Sequence, residues 1–278
     1  MYENVLTDVP TDLWIGGRWR KASDDGRFDV IDPATENKIA SVASATVEDA
    51  KAAVDAASDA FPGWAAKKPR ERAEILRKSY ELIMRDAERL AKLITLENGK
   101  ALADSRAEVA YAAEFFRWNA EEAVRNLGSL SRAPASGARI LVHHKPAGVA
   151  VLVTPWNFPA AMATRKIGPA LAAGCPVVLK PASDTPLTML ALMPILAEAG
   201  VPAGVVNVIP SRSAGKVVGA MLKDPRARVV SFTGSTESGA RSSTRPPTTS
   251  SSRRWSLAAM RRSSCSRMPI STPQSKAR

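Results

Sequence analysis

Cysteine and histidine are scarce in this chain, two of each in 278 residues. Cys175 and Cys265 stand far apart, with no CxxC spacing and no histidine cluster nearby, which argues against a disulfide framework and a zinc site. His143 and His144 are adjacent, and adjacent side chains on a strand face opposite ways, so no metal and no histidine-based triad is expected. Also lacking is any run of about 18 uncharged apolar residues, and "MYENVLTDVPTD" has neither a basic region nor an apolar signal core. A cytoplasmic protein without a membrane partner is the expectation.

Acidic residues are missing from one place. None falls between 238 and 278, where nine Lys or Arg occur, so residues 1–237 hold 30 basic against 27 acidic side chains and the net charge of +12 belongs almost entirely to the tail. That stretch also has twelve serines, four prolines and no valine or phenylalanine. It offers too little apolar surface to offset its chain entropy and is expected to be disordered. A basic Ser/Arg tail could also track phosphates, which makes a non-catalytic nucleic-acid-binding protein the alternative reading, although Trp255 is its only ring for base stacking.

The chain as a whole has 45% apolar and 24% charged residues, a globular composition. "LWIGGRWRKASDDGRFDVIDPATENKIASVA" has short β-type runs broken by turn dipeptides and reads as a small hairpin arm. Thr46 and Asp49 form a capping pair ahead of "VEDAKAAVDAASDAF". From Pro69, apolar residues recur every three or four positions through Ile94 and stop at Asn98-Gly99, one helix or two in succession. "ADSRAEVAYAAEFFRWNAEEAVRNLG" is a further helix, and the spacing of Tyr111, Phe115, Phe116 and Trp118 assigns those rings to core packing rather than to a ligand pocket.

After the strand "ARILVHHKPAG", strands and helices alternate. "VAVLVTPWNFP", "CPVVLKPA", "GVVNVIP" and "RVVSFTGS" are continuous apolar runs suited to parallel strands covered on both faces, and helices separate them. The fold class is therefore α/β, a doubly wound parallel sheet, with ligands expected at the strands' carboxyl ends.

Those ends carry polar groups. Thr154-Pro155-Trp156-Asn157-Phe158-Pro159 presents the Asn157 carboxamide on a turn stiffened by two prolines, either a structural Asn or a neutral donor for a developing oxyanion. Lys180-Pro181-Ala182-Ser183 ends the second strand, with an ammonium that is either solvated or bonded to ribose or phosphate. Beyond Phe232, Gly234-Ser235-Thr236-Glu237 is either a helix cap or a phosphate cradle. Three such corners on strands of one sheet favour a nucleotide site, although GxGxxG is absent.

"TPWNFPAAMATRKIGPALAAGCPVVLKPASDTP", "AGVPAGVVNVIP" and "VVSFTGSTE" resemble the NAD(P)-dependent aldehyde dehydrogenase superfamily, and within it the succinate-semialdehyde dehydrogenase branch, over residues 12 to 237. The resemblance implies an oxidoreductase that passes a hydride from an aldehyde, in this branch succinate semialdehyde, to NADP or NAD. It implies that Thr154, Pro155, Trp156 and Asn157 lie at the nicotinamide end, with the Asn157 amide on the oxyanion. Lys180, Pro181, Ala182 and Ser183 would border the adenosine ribose, Gly215 and Gly219 the adenine, and Phe232, Gly234, Ser235 and Glu237 the pyrophosphate side. Ser183 stands where NAD-preferring relatives often carry glutamate, and losing a carboxylate beside Lys180 favours a 2′-phosphate, hence NADP. Arg165 would clamp the distal carboxylate of a small semialdehyde substrate. The implied layout is an arm with cofactor-domain helices over 1–125, an oligomerisation hairpin over 126–147, a Rossmann-like core over 148–237, and the tail over 238–278. Full-length members of the family are homo-oligomers.

Two family groups have no counterpart. The general base belongs to a Glu-Leu-Gly-Gly motif after Gly-Ser-Thr-Glu and the nucleophile is a cysteine further on, yet no acidic residue follows Glu237. Cys175 begins a buried strand and Cys265 has no base partner, so neither substitutes. By descent an enzyme, the chain is expected not to complete the reaction, and losing the catalytic domain is expected to leave the sheet's last edge exposed. "WSLAAMRR" is compatible with codons that read "ELGGNAP" in the neighbouring frame, which points to a frameshift at or shortly after Glu237. Sequencing the gene checks this: the neighbouring frame is expected to encode that heptapeptide, and a gene without it rules the shift out.

Overall fold

A seven-stranded sheet organises the chain, in the order β11-β10-β7-β8-β9-β1-β2. The computed structural model describes residues 5–234 and, for residues 252–257, the backbone. Four of its strands, β7 (Val149–Val153), β8 (Val177–Lys180), β9 (Val206–Val208) and β10 (Ala227–Gly234), are parallel. The helices α5 (Ala161–Ala172), α6 (Leu187–Glu198) and α7 (Ala214–Lys223) connect them in turn. Because β10 returns to the far side of β7, the strand order reverses between β7 and its neighbours, the switch point where open α/β sheets bind ligands. The expected doubly wound layer is present.

Side chains alternate between two cores. Ala150 and Leu152 of β7, Val177 and Leu179 of β8, and Val206 and Val208 of β9 pack on one side with α5 and α6. Val149, Val151, Val153 and Val178 pack on the other with α7 and α1 (Val47–Ala66). Continuous apolar strands arise because both faces need covering.

The N-terminal region, expected as a small hairpin arm, forms two hairpins. Its first hairpin, β1 (Leu13–Ile15) with β2 (Arg18–Arg20), joins the main sheet through the pairing of Trp14 with Val208, while β3 (Arg27–Ile31) and β4 (Lys38–Ala43) form a separate ribbon. Leu13 and Ile15 are buried, so the hairpin extends the core. The Thr46–Asp49 capping box opens α1 as expected, and Pro62 sits inside that helix without ending it. The stripe after Pro69 divides into α2 (Pro69–Arg85) and α3 (Ala87–Asn98), closed by Gly99 at φ 75°, where a side chain would be strained and would also meet Pro33.

Helix α4 (Leu102–Ala123) lies across α2, α3 and α5. Its contact with α5 is close enough that a Cβ on Gly168 would come 2.9 Å from the Phe115 carbonyl oxygen. Of the four rings assigned to the core, Phe116 is fully buried, but Tyr111 and Trp118 are 47% and 60% exposed. Helical spacing does not rank a wide apolar face, and here only its centre meets the neighbouring helices.

Two further expectations change. His143 and His144 follow β6 (Arg139–Val142) rather than lying in it, and both are exposed; among the described residues no group of His, Cys, Asp or Glu could hold a metal. Within the tail, Ser252–Leu257 forms β11 and pairs in parallel with Val229–Gly234, covering the edge of β10 that was expected to be bare, while the disorder expected for the rest of 238–278 falls on residues outside those described. A strand edge offers unpaired N–H and C=O groups that bond an extended segment whatever its side chains, so composition was a poor guide. Among the described residues no helix is long and apolar enough to cross a membrane.

Leu179 is fully buried in a central strand. Leu179→Ala is expected to cost about 2–5 kcal/mol in urea unfolding; a loss under about 1 kcal/mol would show that β8 does not occupy the core.

Candidate functional site

Register places the predicted corners along one edge. Val153 pairs with Lys180 on one side and with Phe232 on the other, and the Thr154 amide donates to the Lys180 carbonyl at 3.3 Å. Strands β7 and β8 therefore end level, β10 runs two residues further to Gly234, and Thr154-Pro155-Trp156-Asn157, Lys180-Pro181-Ala182-Ser183 and Gly234 leave the sheet from the same end. Ser235 and Glu237 lie outside the described residues.

The turn after β7 exposes its rings and encloses its amide. Trp156 is 50% and Phe158 37% exposed. The Asn157 Oδ1, by contrast, is buried and has no hydrogen-bond partner. Among the described residues the only other such oxygen is Asp49 Oδ1, which has the Arg20 guanidinium 3.8 Å away. A buried amide oxygen left unpaired costs about 1–3 kcal/mol, a strain that a ligand donor would relieve.

Lys180 is 4% exposed, with Pro181 and Ala182 buried beside it and Ser183 half-buried. Burial pulls its ammonium down from 10.5 to about 8; Asp184 opposes that pull and Arg212 adds to it. Lys166, on α5, is likewise lowered to about 8 by burial, with a smaller push from Arg165, and its Nζ bonds the Ser231 hydroxyl at 2.7 Å. Arg165 is exposed on α5, with its guanidinium 5.5 Å from the centre of the Phe115 ring. Cys175 is a buried free thiol whose sulfur accepts from the Ala147 amide, a packing role.

A groove of about 840 Å³ runs between α1 and α7 and is lined by Gly215 and Gly219 together with Lys51, Arg212, Lys216 and Lys223. No carboxylate lines it. A Cβ on Gly215 would meet nothing within 4 Å, so this glycine leaves the groove open. The groove gathers neither Lys180 nor the 154–157 turn, which lie along the strand ends. Lys51 and Arg212 escaped sequence reading because only folding brings α1 beside the loop after β9. Lys51 is ion-paired with Glu48 at 3.1 Å, and the remaining lining cations Arg212, Lys216 and Lys223 suit phosphate.

Residues 19–253 match the Aldehyde dehydrogenase family. The chain belongs to that family. It is 55% identical over 203 residues to the succinate-semialdehyde dehydrogenase of Paenarthrobacter nicotinovorans, covering 73% of this chain and 45% of that one. To the NADP(+) succinate-semialdehyde dehydrogenase of Escherichia coli it is 48% identical over 225 residues, 81% of this chain and 46% of the other. The crystal structure of an aldehyde dehydrogenase from Brucella melitensis biovar abortus superposes with a TM-score of 0.84 at 42% identity, covering 92% of this chain and 52% of that one. The chain thus spans about half the length of the relatives it matches.

Lys166 and Lys180 supply a pH test. Their folded values, near 8, lie below the ordinary 10.5, so between those limits the unfolded chain holds more protons and stability rises with pH. Urea unfolding from pH 7.5 to 10.5 is expected to show that rise, with Lys180→Met removing about half of it; an unchanged slope in the variant would mean that Lys180 is not buried.

Proposed function

We propose that the chain is the cofactor-binding half of a succinate-semialdehyde dehydrogenase and that it binds NADP in preference to NAD. The observation that carries this is the parallel pairing of Val153 with both Lys180 and Phe232, which brings the carboxyl ends of β7, β8 and β10, and with them Asn157 and Lys180, to one end of the sheet that also has a cation-lined groove at α7.

The residues fit a pyridine dinucleotide phosphate. The groove at Gly215 and Gly219 is open and has no carboxylate in its lining, although Lys51 is ion-paired with Glu48, and it suits the adenosine end. Lys180 and Ser183 offer an ammonium and a hydroxyl for the ribose and its 2′-phosphate, and Arg212, coupled electrostatically to Lys180, adds a second cation. The exposed Trp156 and the enclosed Asn157 carboxamide suit the nicotinamide end. When bound, the nicotinamide ring supplies a hydride acceptor. The chain's own contribution is to orient that ring and to present an amide donor to a developing oxyanion. Arg165, exposed on α5, is the candidate clamp for a substrate carboxylate.

We infer that the nucleophile and the base are absent from this chain, because no acid follows Glu237 and Cys175 is packing. The hairpin of β5 (Ser129–Arg132) and β6, exposed at every position and pairing Leu130 with Leu141, supports a role in assembly.

Calorimetry tests the reading. NADPH is expected to bind and to raise Tm, with no aldehyde turnover, and NADH to bind more weakly. Ser183→Glu should reverse the preference by about tenfold or more, equivalent to about 1.4 kcal/mol. Equal affinity for both nucleotides, unmoved by the substitution, would sink the NADP assignment.

A further inference from the structure

The turn that carries Asn157 is gripped from behind by residues of the α3–α4 connection. Its two prolines, Pro155 and Pro159, lack an N–H, which leaves the turn fewer donors and puts weight on its carbonyls. The Trp156 carbonyl accepts from the Asn98 amide nitrogen at 2.9 Å and from the Thr185 hydroxyl at 3.3 Å. The Asn157 carbonyl accepts from Lys100 Nζ at 3.0 Å. The same ammonium lies 4.0 Å from the centre of the Phe158 ring and is ion-paired with Glu108. Glu108, whose side chain is fully buried, accepts from the amides of Ala160 and Ala161 at 3.0 and 3.3 Å, where α5 begins.

Lys100 therefore touches residues 157 and 158 directly and residues 160 and 161 through Glu108. Its side chain is only 14% exposed, and three of its neighbours saturate it: a carbonyl, a ring face and a carboxylate. A surface lysine would not be held so. The neighbouring carbonyls have other donors, Asn98 and Thr185 for Trp156 and the Met162 amide for Phe158, whereas among the described residues the Asn157 carbonyl is held by this cation.

We propose that Lys100 is a positioning residue for the nicotinamide end of the site, holding Asn157 through its main-chain carbonyl with Glu108 as its anchor. The inference rests on the cofactor reading above for its consequence, not for its geometry.

Two measurements separate the two. Lys100→Met with Glu108→Gln removes the ammonium while leaving a side-chain oxygen for the Ala160 amide, and Lys100→Arg restores a cation. With Asn selectively labelled, the Asn157 side-chain amide signals of the ligand-free double variant are expected to move to solvent-exposed positions, and those of Lys100→Arg to stay near the parent's. The double variant is expected to bind NADPH at least tenfold more weakly while 2′-phospho-ADP-ribose, which lacks the nicotinamide, binds as before. Unmoved Asn157 signals, or equal loss for both ligands, would overturn the proposal. A parent protein that binds neither ligand would overturn the cofactor reading, leaving the Asn157 signals to decide the positioning role.

Discussion

In-register parallel pairing across β10, β7 and β8 is the constraint on which the remaining architecture depends. Val153 sits between Lys180 and Phe232, so backbone pairing alone delivers three chain corners to one end of the sheet. A slip of one residue would turn Val153 toward the other core and move every corner with it. Such slips are opposed because both faces of these strands are buried, Leu152 and Leu179 against α5 and α6, Val151 and Val178 against α1 and α7.

Buried charge ties the outer helices to that edge. Glu97, at the end of α3, accepts from the amides of Leu187 and Thr188 and from the Thr188 hydroxyl, closing the N-terminus of α6. Burial pushes its carboxyl up to about 7 against the pull of those donors. Glu108, on α4, does the same for α5. Two carboxylates at two helix N-termini use the favourable end of each helix dipole. They also make α3 and α4 part of the site's frame, which is why residues far upstream of Asn157 can orient it.

Much of this was legible in residue order. The Thr46–Asp49 box, the Gly99 stop and the four apolar strands each depend on neighbours within a few positions, and each appears where local rules place it. Other features depend on distant partners. Trp118 is exposed although the apolar pattern of α4 groups it with buried Phe116, and β1 joins the sheet because Trp14 finds Val208. The strand Ser252–Leu257 contradicted its composition because backbone pairing with β10 does not consult side chains.

The division is physical. Periodicity, caps and turn residues are short-range, so the order of amino acids sufficed to set the α/β alternation and the corners at the strand ends. Meeting of Lys51 with Arg212 in one groove, and of Lys100 with the Asn157 carbonyl, was left to packing. Those partners are separated by long stretches of chain, and only the relative placement of the helices on a twisted sheet decides which of many surface lysines arrives there.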